Sequence, residues 1–387
     1  MGSLLNPFNA WPAGRAAGAG LGMVVVHAGN MERRLCHHES VTHRALAQRL
    51  AHIKGFEFGG EFDPSSAYPG TLYFVPSDTF VTLDAAHRLG VRGEQDLFGG
   101  VVPFPFIATK TITHPLCDAE AQAPEGWSWE LARRLQDVVL PGFSAFSIED
   151  ARKAGGSLLE RGAVRLKLAS GIGGLGQWVA TDEDELDACL QDLDAEEVAR
   201  CGMVLEQNLA DVATLSVGQV RVDDMLATYC GTQQLAVNNA GEEVYGGSRL
   251  IVARGGFDAL LELELGPEML TAIAQARHYH ATVMQSFPGM FASRCNYDVA
   301  QGFDEGGRRY SGVLEQSWRI GGASAAEVAA FGAFRADPSL DAVCALTREI
   351  YGEDCTVPDD ADVYFRGTDD RVGPITKYAR LESYADA

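Results

Sequence analysis

The sequence is poor in basic residues and lacks any long apolar run. Lys and Arg number 31 against 53 Asp and Glu, which gives a formal net charge of -22 at pH 7. A field of this sign repels phosphate backbones and anionic lipid, so we expect neither nucleic acid nor a membrane as a partner. No stretch approaches the ~18 apolar residues of a membrane span. An anionic ligand would therefore need a local cluster of Lys, Arg and backbone N–H groups.

The sequence also lacks closely spaced cysteines. Its eight cysteines are scattered, and none shows the C-x-x-C spacing of a zinc knuckle, so reduced thiols in a cytoplasmic protein are the simplest interpretation. Near the start, AAGAGLGMVVVH resembles the apolar core of a signal peptide. Its glycines and β-branched residues instead favour a loose leader followed by a first strand.

Strand and helix patterns alternate over the first hundred residues. Strands are predicted at Met23–His27 and from Thr71, and helices over Ser40–Ile53 and from Thr82. This order predicts a small α/β domain with a parallel sheet. Strand patterns dominate after residue 203, and two helices (residues 325–334 and 340–351), a short strand and an acidic tail are predicted at the end.

The segment RLKLASGIGGLGQWVATDEDEL carries the spacing G-x-G-x-x-G at Gly171, Gly173 and Gly176. In a dinucleotide-binding turn the third glycine already lies in a helix. Here QWVA follows, without helical period, and a helix begins only after Thr181. We therefore predict that the glycines join two strands as a flap that offers backbone N–H groups to phosphates. A flexible hairpin without ligand is the alternative.

Charged residues around this loop favour a nucleotide site. Lys167 lies in the strand before the loop, and a buried lysine is costly unless it meets an anion. Glu206 stands at a strand end, where it is suited to an adenine amino group. Asp298 and Glu315 lie on predicted neighbouring strands, where paired carboxylates hold Mg²⁺. Arg319 adds a charge suited to phosphate. Taken singly, the lysine could reach solvent at an edge and the acids could be solvated.

In this order the segments resemble the ATP-grasp enzymes, over roughly residues 100–335: a strand lysine, a glycine flap, E-x-x-L, and a late hairpin of the type D…E-x-N-x-R. The resemblance implies a fold of α/β and α+β class, with a leading α/β domain before a two-lobed ATP-grasp fold. The implied organisation is a flexible leader (1–20), a leading domain (21–115), a small lobe with the flap (116–203), a C-terminal lobe (204–352), and a C-terminal strand with an acidic tail (353–387).

The resemblance also implies an activity, in which ATP and Mg²⁺ are used to convert a carboxylate into an acylphosphate that an amine or similar nucleophile attacks. The partners would be a small-molecule carboxylate and a nucleophile, and a homodimer is a common assembly. The implied nucleotide site comprises Lys110, Lys167, Ser170, Gly171, Gly173, Gly174, Gly176, Glu206, Gln207, Leu209 and Asp211. The implied metal ligands are Asp298, Glu315 and Ser317, and Arg319, Arg294 and Arg249 would face the phosphoryl group or acyl substrate.

The chain departs from the family pattern in two places. Ser317 replaces the usual Asn ligand, with Gln316 expected on the opposite strand face, and Lys110 lies far ahead of the turn at Pro141–Gly142. Ser317 leaves open a second hypothesis, a nucleotide-binding protein without ligase turnover that acts as a sensor or partner subunit. A third, redox chemistry with NAD(P), would need a helix beginning at Gly173–Gly176.

Three other polar segments have less specific patterns. CHHESVTH (residues 36–43) is interpreted as a helix start, because two adjacent histidines cannot easily aim at one ion, with a substrate role left open. In THPLCD (residues 113–118) no third group orients a Cys–His pair, so a structural role is favoured. The glycine-rich segment 238–250 either reaches the cleft or lies outside it.

Overall fold

The computed structural model of the protein describes residues 22–29, 35–171 and 176–384. The leader predicted over residues 1–20 and two predicted flap glycines, Gly173 and Gly174, lie outside the described residues. In the described part of the chain, no helix is both long enough and apolar enough to cross a membrane.

The first unit is built on a parallel sheet, which confirms the prediction. Strand β1 lies between β2 and β3 and runs parallel to both. Since side chains alternate along a strand, Val24 and Val26 pack towards α1 while Val25 packs on the other side. The elements are β1 (Gly22–His27), α1 (His37–Lys54), β2 (Glu57–Glu61), β3 (Thr71–Pro76), β4 (Phe80–Val81), α2 (Leu83–Arg88) and β5 (Gly100–Val102).

The second unit is a four-stranded sheet of order β6-β9-β7-β8. Its neighbouring strands are antiparallel, and Lys167 on β7 lies opposite Gln177 on β8. The glycine loop therefore joins two strands, as predicted, and is not a dinucleotide-binding turn. The elements are β6 (Gly142–Ala145), α4 (Ile148–Leu159), β7 (Val164–Leu168), β8 (Gln177–Ala180), α5 (Glu183–Gln191), α6 (Ala195–Cys201) and β9 (Met203–Gln207). Helix α3 (Trp129–Leu135) precedes them in the chain but packs in a different apolar core, around Tyr279.

The third unit is an antiparallel eight-stranded sheet of order β15-β14-β10-β11-β12-β16-β18-β17. Strand β13 instead pairs with β5 of the leading unit. The elements are β10 (Ala210–Val222), β11 (Met225–Val237), β12 (Glu243–Arg254), α7 (Phe257–Leu261), α8 (Pro267–Ser286), β13 (Phe291–Ala292), β14 (Arg294–Phe303), β15 (Arg309–Ser317), α9 (Ser324–Ala336), β16 (Ala342–Tyr351), β17 (Asp362–Asp369) and β18 (Gly373–Glu382).

The two faces of this sheet have different coverings. One face, which includes Val217 and Tyr297, packs against α8 in an apolar core. On the other face, Val220 and Leu250 pack with α9 and α1. The rest of this second face carries polar side chains such as Ser216, which alternates with Val217 along β10, and it lines a cleft.

Two predictions for the end of the chain were wrong. Residues 340–351 were predicted to be helical, but residues 342–351 form β16, and part of the predicted acidic tail forms β18. Helix-forming residues (Ala, Leu, Arg and Glu) make up half of β16, yet this strand pairs with β12 on one side and with β18 on the other. Pairing with distant strands here overrides local propensity. The domain limits predicted at residues 115, 203 and 352 stay predictions.

Candidate active site

A cleft of ≈ 1380 Å³ lies between the four-stranded sheet and the polar part of the eight-stranded sheet. Most of the predicted site residues line it, although they come from several separate elements. Those residues are Lys110, Lys167, Ser170, Gly171, Gly176, Glu206, Gln207, Leu209, Arg294, Asp298, Glu315, Ser317 and Arg319.

The predicted metal ligands Asp298 and Glu315 lie opposite each other on neighbouring strands. The pairing skips one residue next to them, since Val299 pairs with Val313 and leaves Leu314 as a β-bulge. Residues two apart on a regular strand share a face. Because of the bulge, Val313 packs in the core beneath α8 while Glu315 faces the cleft.

The Asp298 carboxylate is held by three neighbours. Its Oδ1 accepts hydrogen bonds from Asn296 Nδ2 and Gln233 Nε2, both at 2.8 Å, and from Ser216 Oγ at 3.2 Å. Burial and the negative charge of Glu315 raise the pKa of Asp298. A cation between the two carboxylates would relieve this repulsion. The three donors were not predicted from the sequence: Asn296 lies two residues before Asp298 on the same strand, whereas Ser216 and Gln233 come to this face only through the pairing of β10 with β14 and with β11.

Ser317 and Arg294 form the adjoining part of the cleft wall. Arg294 Nη1 lies 3.3 Å from both the hydroxyl and the carbonyl oxygen of Ser317. The same guanidinium forms an ion pair with Glu327 in which the side chains are 1% and 0% exposed. The predicted role of Arg294 at a phosphoryl group is therefore corrected, since its charge is matched internally and it holds the end of β15. Gln316 points to the α8 face, as predicted.

The other two predicted arginines lie near carboxylates other than Asp298 and Glu315. Arg319 lines the cleft, with its Nε 3.7 Å from Asp78 Oδ1 of the leading unit. Arg249 alternates with the cleft residue Ser248 along β12 and pairs instead with Glu382 at 3.2 Å. We therefore remove Arg249 from the site.

The predicted ribose-binding acid, Asp211, is also removed from the site. It is an exposed residue at the start of β10, with a φ of 50°, and it is not among the residues that line the cleft. Leu209, two residues earlier, does line the cleft.

Lys167 and Glu206 form a buried ion pair between β7 and β9, with side chains 7% and 2% exposed. His114 Nε2 lies 3.3 Å from the second carboxylate oxygen. Burial by itself would raise the pKa of Glu206, but the Lys167 charge and the His114 contact outweigh burial and lower it to about 2. The buried lysine thus meets an anion, as predicted, but that anion belongs to the protein.

Lys110 joins the flap to the carboxylate pair. Its Nζ lies 3.0 Å from Glu315 Oε2 and donates to the Gly171 carbonyl, also at 3.0 Å. Gly176 ends the flap with a φ of 70°, a conformation that suits glycine. Ser170 donates to Glu197 at 2.6 Å, at the exposed edge of the flap.

An apolar patch lies beside the segment 206–209. Leu140, Leu209, Ala300 and Leu314 belong to one small cluster and all line the cleft. A flat aromatic ring could pack its face against this patch and turn its polar edge towards the backbone of residues 206–209. Only Leu209 was predicted from the sequence, because the other members come from elements far apart in the chain.

The remaining polar segments take different positions. The glycine-rich segment reaches the cleft, where residues 238–240 and 242–245 line it. A helix does begin within CHHESVTH, as predicted, but α1 starts at His37 with Cys36 as its N-cap, three residues before the predicted Ser40. Both Cys36 and His38 line the cleft. In THPLCD, His114 turns to Glu206, whereas the Cys117 thiol lies near Asp118 and Asp150.

Comparison with solved structures identifies the fold. Carboxyaminoimidazole ribonucleotide synthase from Aspergillus clavatus, complexed with ATP, is 12% identical with a TM-score of 0.50, and the match covers 94% of each chain. Phosphoribosylamine–glycine ligase from Thermotoga maritima is 12% identical with a TM-score of 0.50, over 93% of this chain and 92% of that chain. No curated protein matches the chain by sequence.

The sequence-based prediction of the fold, a leading α/β domain before a two-lobed ATP-grasp fold, is thus confirmed. A family model described as "Protein of unknown function (DUF3182)" matches residues 25–379. The chain therefore belongs to the DUF3182 family, and it has the ATP-grasp fold.

Proposed function

We propose that the protein is an ATP- and Mg²⁺-dependent ligase that converts a carboxylate into an acylphosphate for attack by an amine or similar nucleophile. One observation carries the proposal: Asp298 and Glu315 face each other, and Lys110 contacts both Glu315 and Gly171 of the flap. Paired acids, a cation and a closing loop are the parts that phosphoryl transfer needs, because its catalysis rests on positioning and charge neutralisation.

The donor set fits Mg²⁺. Asp298, Glu315 and Ser317 offer only oxygen atoms, which are the ligands that Mg²⁺ prefers. The hydrogen bonds from Asn296, Gln233 and Ser216 all fall on Oδ1 of Asp298, so they fix this carboxylate while Oδ2 keeps its lone pairs. When bound, the metal would neutralise charge on the phosphates of ATP.

The remaining residues would bind and orient the nucleotide. An ammonium has three donors, so Lys167 can keep its pair with Glu206 and still donate to a phosphate oxygen. The patch around Leu209 would receive the adenine ring, and Arg319 would face the acyl substrate. A substrate carboxylate oxygen then attacks the γ-phosphorus and ADP leaves. The nucleophile attacks the acyl carbon, phosphate leaves, and the amine gives up a proton.

The first experiment is thermal unfolding with Mg-ATP, Mg-ADP or NAD(P). A ligand at ~100 times its dissociation constant adds roughly 2.7 kcal/mol. We expect Mg-ATP to raise the unfolding midpoint of the wild type and of Glu349→Gln but not that of Glu315→Gln. Glu349 is a suitable control because it lines the same cleft and pairs with Lys377 instead. No response of the wild type to Mg-ATP, or an equal response in Glu315→Gln, would count against the proposal.

A second candidate function is nucleotide binding without ligase turnover, in a sensor or partner subunit. It is favoured by Ser317, whose hydroxyl lies 3.3 Å from Arg294 Nη1 at the place of the usual Asn ligand. Stabilisation by Mg-ATP without ADP release over a broad panel of acids and amines would support it. If the short side chain alone limits turnover, Ser317→Asn should then raise ADP release. For both candidates we propose small-molecule partners, in keeping with the negative net charge, and a cytoplasmic location, in keeping with the scattered cysteines.

A further inference from the structure

A second group of metal-binding side chains lies at the start of α1. Cys36, His38 and Asp369 offer a sulfur, a nitrogen and an oxygen atom that all lie within 4.8 Å of one another. We propose that these residues form a Zn²⁺ site, separate from the carboxylate pair assigned to Mg²⁺. This site goes beyond the proposed function and does not depend on it.

The donor set selects the metal. Thiolate, imidazole and carboxylate are the ligands of Zn²⁺, whereas Mg²⁺ takes oxygen atoms. Tetrahedral coordination with bonds of about 2.0–2.3 Å places neighbouring ligand atoms roughly 3.3–3.8 Å apart. Atoms within 4.8 Å of one another therefore need only small side-chain rotations to bind one ion.

His38 is the residue that points most directly to a ligand. Its side chain is 7% exposed, and its Nδ1 is buried with no hydrogen-bond partner among the residues that the structure describes. A buried polar nitrogen without a hydrogen-bond partner destabilises the folded state. Coordination of a metal ion by the imidazole would remove this cost. The ring of Phe365 packs against His38 with its centroid 6.0 Å away, which limits the freedom of the imidazole.

Asp369 is held as metal ligands commonly are. Its Oδ2 accepts from the backbone N–H of His38 at 2.9 Å, and its Oδ1 accepts from those of Arg371 at 2.8 Å and Val372 at 3.2 Å. Such outer bonds orient a ligating carboxylate, and Oδ2, which accepts a single bond, retains a lone pair for a metal ion. Asp369 also caps α1 by the same bond, but capping explains neither the unpartnered Nδ1 of His38 nor the nearby thiol.

Cys36 completes the set. Its thiol donates to Glu39 Oε2 at 3.1 Å, so a proton acceptor already lies beside the sulfur. Metal binding replaces the S–H bond by an S–Zn bond, and the proton passes to Glu39 or to solvent. The adjacent histidines do not need to share the ion, because the third ligand comes from a residue 331 positions after His38.

A site with three protein ligands keeps a position for water or substrate. Cys36 and His38 line the same cleft as the proposed ATP site. The ligand class at this position is therefore a small nucleophile from the cleft: water, a thiol or an amine. The ion would also link α1 to the hairpin of β17 and β18, so we expect it to stabilise the fold.

The test uses the full chain freed of metal with a chelator and titrated with Co²⁺ and then Zn²⁺. We expect one Co²⁺ per chain with a thiolate-to-cobalt charge-transfer band, displacement by Zn²⁺, and a thermal midpoint that Zn²⁺ raises and Mg²⁺ does not. Cys36→Ser should lose the charge-transfer band. Both Cys36→Ser and His38→Gln should weaken Zn²⁺ binding by more than about 100-fold, because even the loss of a residue that only hydrogen-bonds to a metal ligand lowers metal affinity ~10–100-fold. A cooperative thermal unfolding transition in the absence of metal will show that each variant is folded.

Two control variants separate this site from other possibilities. Cys189→Ser replaces a half-buried cysteine on α5 and should keep the band. Glu315→Gln, which removes a ligand of the proposed Mg²⁺ site, should also keep it, so the two proposals can fail separately. Absence of the band in the wild type, its persistence in Cys36→Ser, or its loss in either control would overturn the Zn²⁺ site.

Discussion

Replacing Lys167 by Met should leave a buried carboxylate without its main partner. Glu206 is buried, and apart from Lys167 it contacts His114, whose Nε2 lies 3.3 Å from its carboxylate. Methionine keeps much of the length of the side chain and removes only its charge. Removal of one member of a buried ion pair costs about 3–5 kcal/mol, because the other charge stays buried.

The expected change in melting temperature follows from the size of the chain. With 387 residues and ~2.1 cal/mol/K per residue, the entropy of unfolding is about 0.8 kcal/mol/K, so Lys167→Met should lower the midpoint by about 4–6 °C. Calorimetry without nucleotide measures this shift. Adding Glu206→Gln removes the unpaired charge and should recover about 1–3 kcal/mol of the loss.

A surface pair provides the matched control. Lys153 pairs with Asp118 at the surface, with side chains 64% and 30% exposed, so Lys153→Met should leave the midpoint unchanged. Equal midpoints for Lys167→Met and wild type would refute the reasoning. So would a double variant whose loss is the sum of the two single losses, since that outcome means that the charges do not interact.

Three further predictions concern stability. The pKa of Glu206 is lowered from 4.5 to about 2 in the folded protein. The stability that its carboxylate contributes is therefore complete above the unfolded pKa and is lost as the pH falls towards 2. Over this range the stability of Glu206→Gln, measured by acid unfolding and circular dichroism, should fall less steeply than that of the wild type, and an unchanged profile would contradict this. Arg294→Met should cost about 3–5 kcal/mol in urea denaturation because Glu327 stays buried, and Glu327→Gln added to it should restore part of the loss; an unaltered transition in Arg294→Met would disprove the buried pair. Gly202→Ala should destabilise the protein by about 1–3 kcal/mol, because the φ of Gly202 is 79° and an added Cβ would lie 2.7 Å from a neighbouring aromatic ring. In the control Gly156→Ala the added Cβ meets no atom within 4 Å, so this change should be neutral or stabilising. Equal unfolding midpoints for the two variants would argue against tight packing at Gly202.

Features with a local signal were predictable from the sequence. The flap was assigned between two strands because the residues after Gly176 have no helical period, and β7 and β8 confirm it. Asp298 and Glu315 were expected on neighbouring strands because a turn separates them by a short distance along the chain. Their adjacency is confirmed by the strand pairing.

Features that depend on distant pairing were not predictable. Strand β16 has a mixed composition that does not decide between helix and strand, and its pairing with β12 and β18 makes it a strand. The direction of Glu315 depends on the bulge at Leu314, which has no sequence signature. Arg294 was expected at the substrate because nothing in the sequence shows that Glu327 lies beside it, 33 positions later. Asp369 meets His38 only in the folded chain.

The position of α1 against the last strands has a consequence for synthesis on the ribosome. Arg49 of α1 bonds to Asp362 on β17, a partner 313 positions later, and β18 lies between β16 and β17. Strands β7 and β8 pair with each other and are close together along the chain, whereas α1 can make its contacts with β17 only after β17 and β18 have left the ribosome. Contacts of such long range form slowly and leave apolar surface open to aggregation. We therefore expect the nascent chain to need chaperone protection until β17 and β18 have emerged.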